Sequence, residues 1–393
     1  MLVSPAVEGY KPRYSLTTAT LRCAEALGAA RATFELRPLP LLVERDLRHR
    51  IRVEVAHNST WIENRTLALA EAEAAIAERP FADPSRAKEQ AAQEVRNYFQ
   101  ALELIDHTLE QPPSERLICH LHATIMSGLL KRGRPPEASP YRRASVRVGV
   151  YLAPMWEDVP KLMRELVAWA CGPGRELPGY LFAGIFAYQF VTIHPFPDGN
   201  GRTSRALATW ALRRSGYDPR GLLNVEEFYA RNLEGYYEAL QMGMHPVYYE
   251  SNARGSRSDP DLSPWLDFFC TAVAEAAHTT QTEVVRYFRE YDPEALADPL
   301  AEVPANLRRV LSRLSDFDEP ISVAKVVEWL SVSERTAREW FKHWQAEGFL
   351  RPARPDAQRV HAYLLSETWR SRLLPRVVAA QSDAANSGSP KQK

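Results

Sequence analysis

The stretch His194-Pro195-Phe196-Pro197-Asp198-Gly199-Asn200-Gly201-Arg202-Thr203-Ser204-Arg205 holds the densest chemistry in the chain. An imidazole is a base near neutral pH, so His194 is a candidate proton acceptor. Asp198 offers hard oxygen of the kind Mg²⁺ prefers. Gly199 and Gly201 suit a backbone of positive φ that presents successive N–H groups to an anion, and a helix starting at this point adds its positive N-terminal dipole. Arg202 and Arg205, three residues apart, share a helix face and can meet the same anion. An isolated His-Pro or Gly-x-Gly is more often a structural turn. Base, metal carboxylate, amide nest and paired guanidiniums together point to chemistry at a phosphate.

These residues need rigid supports on both sides. The preceding segment, 180–193, carries Phe182, Ile185, Phe186, Phe190, Val191 and Ile193 and has almost no polar face, which predicts a helix at the centre of the fold. An amphipathic helix follows the loop with Leu207, Trp210 and Ala211 inward. Upstream, Pro38, Leu39 and Pro40 end an expected extended opening segment, and apolar spacing predicts helices over 41–56, 85–110, 114–130 and 159–169. Between 139 and 154 the pattern changes to alternation, with Val146, Val148 and Val150, and predicts a short hairpin or flap. Downstream lie an expected loop at 252–261, a helix at 264–291 and a linker at 292–304.

The motif loop resembles the signature of the Fic family, HPFx(D/E)GNGRxxR, at every specified position. The resemblance covers roughly 38–291 and implies a mainly α fold: a Fic helical core with a small β-hairpin flap. It also implies transfer of AMP from Mg-ATP to a Ser, Thr or Tyr hydroxyl of a target protein. His194 is then the general base and Asp198 the Mg²⁺ ligand. Phe196, Gly199, Asn200 and Gly201 belong to the nucleotide-binding loop, with Asn200 on the α-phosphate, Arg202 on the β-phosphate and Arg205 on the γ-phosphate. Phosphorylating members carry Lys in place of the second motif Gly, and Gly201 keeps the AMP-transferring form.

Ser59-Thr60-Trp61-Ile62-Glu63-Asn64 resembles the family's inhibitory motif, (S/T)xxxE(G/N), placed N-terminal to the core as in class II, near the start of a helical segment. The resemblance pairs Glu63 with Arg205 and sets a low-activity default state. The flap, at Ser145, Val146, Arg147 and Val148, stands where family members add a strand of the target to an exposed edge; an ordinary surface hairpin is the alternative. Within 228–240, which resembles the segment bordering the adenine pocket, Tyr237 is the candidate adenine contact, and core packing is the alternative.

The C-terminal region reads as a winged helix: a helix at 323–330, a turn at Ser331-Val332, a second helix at 333–348 with Ala337, Trp340, Phe341 and Trp344 inward, and strands at 349–350 and 360–365 around a turn at 351–359. Arg335, Arg338, Lys342 and His343 face outward on the candidate recognition helix. Lys and Arg number 13 against 9 Asp and Glu over 303–376. That excess is mild for a DNA reader, so protein docking and self-association stand beside DNA binding. The expected divisions are an N-terminal module with the inhibitory helix at 1–84, the catalytic core at 85–291, the winged helix at 305–376 and a disordered tail at 381–393.

Composition sets outer bounds. The chain has 393 residues, 45% apolar and 25% charged, enough for two or three cores. Its 49 basic and 49 acidic residues cancel, so no global field gathers nucleic acid or anionic lipid. Cys23, Cys119, Cys171 and Cys270 are scattered without metal-ligand spacing and read as reduced core residues of a cytoplasmic protein. No segment has the apolar length of a signal peptide or membrane span. The expected partners are ATP, Mg²⁺ and a protein substrate, which could be the chain itself, with DNA or a second copy as further partners. A nucleotide-sensing transcription regulator is the alternative function.

Overall fold

The computed structural model describes residues 9–36, 39, 41–81, 83–129, 141–149, 151–218, 220–241, 261–290, 303–314, 319–354 and 360–370. Two compact units divide the chain, one of residues 1–37 and 48–285, the other of 38–47 and 286–393.

The first unit is helical. In chain order it contains α1 (Thr18–Leu36), α2 (Leu41–Asn64) from residue 48 on, α3 (Leu69–Ile76), α4 (Arg86–Thr108), α5 (Glu115–Ile125), the strands β1 (Arg147–Val148) and β2 (Tyr151–Leu152), α6 (Val159–Cys171), α7 (Gly179–Ile193), α8 (Asn200–Arg214), α9 (Val225–Arg231), α10 (Leu233–Gln241) and α11 (Ser263–Glu290) up to residue 285. Helix starts follow side-chain chemistry: Ser85 Oγ accepts from Lys88 N and Ser114 Oγ from Leu117 N, each satisfying an amide that the first turn leaves open.

Every residue of α7 except Val191 is buried, which its unbroken apolar sequence requires. Helix α8 is buried almost as completely while carrying Arg202, Arg205 and Arg213. Three guanidiniums in a core must each find acceptors. Arg213 finds Asp106 at 2.7 Å and Asp218 at 3.2 Å. The partners of the other two define the site described below.

The second unit contains α12 (Ala305–Leu311), α13 (Val323–Leu330), α14 (Glu334–Ala346) and the antiparallel pair β3 (Leu350–Pro352) and β4 (Tyr363–Leu365), with Leu350 opposite Leu365. Ser322 and Ser333 cap α13 and α14. Ser331 takes the left-handed conformation between them, which turns the chain. Leu307, Val326, Phe341, Trp344 and Leu365 belong to its apolar core.

Several expectations need correction. The opening segment is the helix α1 rather than extended chain: Cys23, Leu27, Ala30 and Phe34 recur at helical spacing and are buried. Helix α2 continues past Ala56 to Asn64, so the inhibitory motif closes a long helix instead of opening one. Helix α3 has no counterpart in the expected elements; its alanines supply little periodic contrast. Only Cys23 and Cys270 are fully buried, whereas Cys119 is half-buried and Cys171 exposed. The flap strands are two residues each, and Val150 lies outside the described residues, as do most of the loop at 252–261, most of the linker at 292–304 and the tail at 381–393.

Candidate active site

Helix α7 ends at His194, whose left-handed backbone (φ 51°, ψ 58°) turns the chain out of the buried helix. Helix α8 begins after Gly199, also left-handed at φ 78°. A side chain at Gly199 would place its Cβ 2.5 Å from Met126 Sδ, so glycine is needed there for both backbone and space. Asn200 clasps the loop: Phe196 N donates to its Oδ1 at 2.9 Å, and its Nδ2 donates to Phe196 O at 2.8 Å.

His194 Nδ1 lies 3.1 Å from Val191 O. A carbonyl only accepts, so Nδ1 carries the proton and Nε2 keeps a free lone pair, the form a general base requires. Burial lowers the imidazole pKa to about 4, and the positive charge of Arg142 adds to the shift. His194 is therefore neutral at physiological pH.

Arg205 is wrapped by the end of α2. Its Nε donates to Ser59 Oγ at 2.8 Å, and its Nη2 donates to Ser59 O at 2.7 Å and to Glu63 Oε1 at 2.8 Å; its Nη1 reaches Tyr236 Oη at 3.4 Å. Burial pushes the Glu63 carboxyl upward, but the charge and hydrogen bond of Arg205 outweigh this and hold it below the usual carboxylate range. The carboxylate thus stays ionised and paired.

A cavity of about 850 Å³ opens over this loop. Glu63, His194, Asp198–Arg202, Arg205, Tyr236 and Tyr237 line its floor and sides, and Val146–Gly149 and Tyr151 of the flap border it. Tyr151 Oη donates to Thr192 O at 2.6 Å, tying the flap to α7. Tyr237 is partly exposed, and its hydroxyl meets Ile62 O at 3.4 Å, whereas Tyr236 is the buried member of the pair. The Asp198 carboxylate is largely exposed and accepts from Gly199 N.

Two expected members of the loop act differently from their predicted roles. Phe196 does not line the cavity; it is 1% exposed and stacks on His122 at 3.6 Å between ring centroids, so its side chain anchors the loop from behind. Gly201 has an ordinary helical backbone, not a positive φ. Its absent side chain instead makes room, because a Cβ would stand 2.6 Å from Glu63 Oε1. Ser145, unlike Val146, Arg147 and Val148, is not among the cavity-lining residues.

Arg142 holds the frame of the site and was not singled out by sequence spacing. Buried at the root of the flap, it donates from Nε to His194 O at 2.8 Å, from Nη1 to Ala144 O and from Nη2 to Pro154 O. One side chain thus joins both ends of the flap to the turn at His194. His122 was equally silent; besides stacking on Phe196 it donates from Nε2 to Asp198 O at 2.9 Å, holding the carboxylate-bearing turn. Neither position has a local signal for the motif loop, since Arg142 meets His194 O across 52 residues and His122 meets Asp198 O across 76.

The profile of the Fic/DOC family matches residues 112–212. Protein adenylyltransferase Fic of Nematostella vectensis is 33% identical over 190 residues, 48% of this chain and 42% of the relative. The protein of the same name from Drosophila grimshawi is 31% identical over 166 residues, 42% of this chain and 33% of the relative. The chain thus spans less than half the length of these curated relatives. In fold, it is similar to a Fic family protein from Desulfovibrio desulfuricans G20, with a TM-score of 0.55 at 24% identity over 91% of this chain and 99% of the other. A Fic domain containing signaling protein from Bacteroides thetaiotaomicron VPI-5482 gives 0.52 at 20% identity over 67% and 97%. The matched span, residues 112–212, is similar to the Fic/DOC family and encloses the whole of the His194–Arg205 loop.

Proposed function

We propose that this chain is a protein adenylyltransferase that moves AMP from ATP to a side-chain hydroxyl of a target protein, and that Glu63 holds the reaction in check. The observation that carries this reading is the pairing of Arg205 with Ser59 and Glu63 at the edge of a cavity that also holds His194 and the amino end of α8. A guanidinium and a helix N-terminus suit polyphosphate, and a neutral imidazole with a free Nε2 suits removal of a hydroxyl proton. The acceptor oxygen attacks Pα, the Pα–O bond to the β-phosphate breaks, pyrophosphate leaves and His194 Nε2 takes the proton.

Asp198 fits Mg²⁺ as the single carboxylate of a site whose remaining ligands come from nucleotide phosphates and water. Bound there, the ion would offset the charge developing on the phosphates. Asn200, Arg202 and Arg205 are assigned to the α-, β- and γ-phosphates, Tyr237 to the adenine, and the flap strand β1 to the target backbone. Within this assignment 85–291 is the catalytic core and the end of α2 its brake. The Glu63 carboxylate stands where Arg205 would otherwise meet phosphate, so wild-type chain binds ATP unproductively.

The test uses wild type, Glu63→Gly and Glu63→Gly/His194→Ala with Mg²⁺ and α-labelled ATP, alone and with cell lysate. Losing one charge-assisted contact to Arg205 should raise protein labelling on the order of 10- to 100-fold in Glu63→Gly, and the double variant should return to background. Label in the chain itself identifies self-modification. Equal labelling of wild type and Glu63→Gly would remove the brake, and no label in any lane would remove the activity.

A further inference from the structure

Glu63 and Asn64 are consecutive at the end of α2, yet they reach different arginines of α8. Glu63 contacts Arg205 from within the cavity. Asn64 turns to α4, where its Nδ2 donates to Glu94 Oε2 at 2.7 Å. The same carboxylate oxygen lies 3.2 Å from Arg202 Nη1, and Gln90 Nε2 donates to the other oxygen at 3.3 Å. The Arg202 and Glu94 side chains are only 6% and 8% exposed. A buried ion pair of this kind repays its desolvation only when further hydrogen bonds hold it, and the two amides supply them.

The two carboxylates stand on different sides of their arginines. Among the described residues, those lining the cavity include Glu63, Arg202 and Arg205 but not Glu94. Glu94 therefore backs Arg202 without occupying the space in front of it, whereas Glu63 occupies the space in front of Arg205. Arg202 also keeps Nε and Nη1 without an aligned acceptor, the contact with Glu94 being an ion pair rather than a formed hydrogen bond. Arg202 is thus held from behind by charge while its side chain still lines the cavity.

We propose that Glu94 is a positioning residue for nucleotide binding: it orients Arg202 toward the second phosphate, and Asn64 fixes Glu94 in that pose from the helix that carries the brake. The inference rests on the proposed ATP-dependent function. The end of α2 then acts on both phosphate-binding arginines with opposite sign, obstructing Arg205 through Glu63 and supporting Arg202 through Asn64 and Glu94. Deleting the whole end of α2 would accordingly be a poorer activator than replacing Glu63 alone.

Isothermal titration of the full chain tests this without reference to activity. In a Glu63→Gly parent, ATP, ADP and AMP are titrated with and without Glu94→Gln, which keeps the shape and removes the charge. Kd for ATP and ADP should rise on the order of tenfold, while Kd for AMP, which has no second phosphate, stays unchanged. Asn64→Ala, at an exposed position, should shift ATP and ADP in the same direction by about threefold and add little on top of Glu94→Gln, as members of one network do. Unchanged ATP and ADP affinity in Glu94→Gln would overturn the proposal, and so would equal weakening of all three nucleotides, which marks general disruption. A parent that binds none of the three would remove the functional reading itself and the proposal with it.

Discussion

His194 makes the chemistry testable by pH. A base with pKa near 4 is neutral at pH 7 but weak, which suits a transfer whose transition state asks mainly for positioning and charge neutralisation. Its pKa is depressed by burial and by Arg142, and Glu63 is one of the charges that opposes the shift. Replacing Glu63 with Gly removes an upward influence, so the value in that variant should be no higher. Protonation of His194 is then confined to acid, and kcat/KM for AMP transfer by Glu63→Gly should be flat from about pH 5.5 to 8 and fall only toward pH 4. An acid limb centred near the ordinary imidazole value of about 6.5 would show that His194 works in a solvated environment instead. At this scale the sequence was most legible where the parts are contiguous: His194, Asp198, Arg202 and Arg205 lie in one loop, and their types state their capacities. Arg142, His122 and Glu94 serve the same loop from distant elements, and only the fold brings them to it.

The contact between α2 and α8 depends on a missing side chain. At Gly201 a Cβ would fall 2.6 Å from Glu63 Oε1 and 3.4 Å from Arg205 Nη1. The nearest obstacle is the tip of a flexible side chain, so Gly201→Ala should displace the Glu63 carboxylate rather than the backbone. The lost charge-assisted bond is worth about 1.5–3 kcal/mol, toward the lower end for a partly exposed carboxylate, and the alanine returns about 1 kcal/mol of helix propensity. In wild type the substitution should therefore lower stability by about 1 kcal/mol or less. In Glu63→Gly, with the obstacle gone, the same substitution should stabilise the fold by up to about 1 kcal/mol. Urea midpoints of the four proteins in this cycle check the reversal of sign; a shift of the same sign in both backgrounds would mean that the two helices do not meet through Gly201. Apolar periodicity predicted the helices around this junction to within a few residues, because α7 and α8 bury nearly every residue they contain. It was blind to the true end of α2, where Ser59, Glu63 and Asn64 are polar and find partners on α4 and α8, and Thr60 bonds the carbonyls of Ala56 and His57 in its own helix.

For the molecule as a whole, the open question is what the second unit contributes. Its order of helix, helix, turn, helix and two-stranded hairpin supports the winged-helix reading, whose commonest partner is DNA. The charges on α14 argue otherwise. Arg335 pairs with Glu339 at 3.2 Å, Arg338 with Glu334 at 2.5 Å, and His343 lies 3.2 Å from Glu347. All are exposed, so each pair is individually weak, but the two arginine pairs each place a carboxylate beside a cation that would have to meet phosphate. Across the helix, Arg335, Arg338 and Lys342 stand against Glu334 and Glu339, leaving room for only one or two phosphate contacts. Counterion release then sets a slope of only about −1 to −2 in log K against log salt, and so few phosphate contacts give weak binding. The full chain should show only weak retardation of duplex DNA that changes little with salt, and Glu334→Gln/Glu339→Gln should strengthen it by freeing both arginines. A slope of about −4 or steeper in wild type, lost on Arg335→Ala/Arg338→Ala, would instead restore DNA as the partner. Absence of retardation even at low salt would leave protein docking as the reading of this unit, and a second docking surface on one chain raises the local concentration of a bound target.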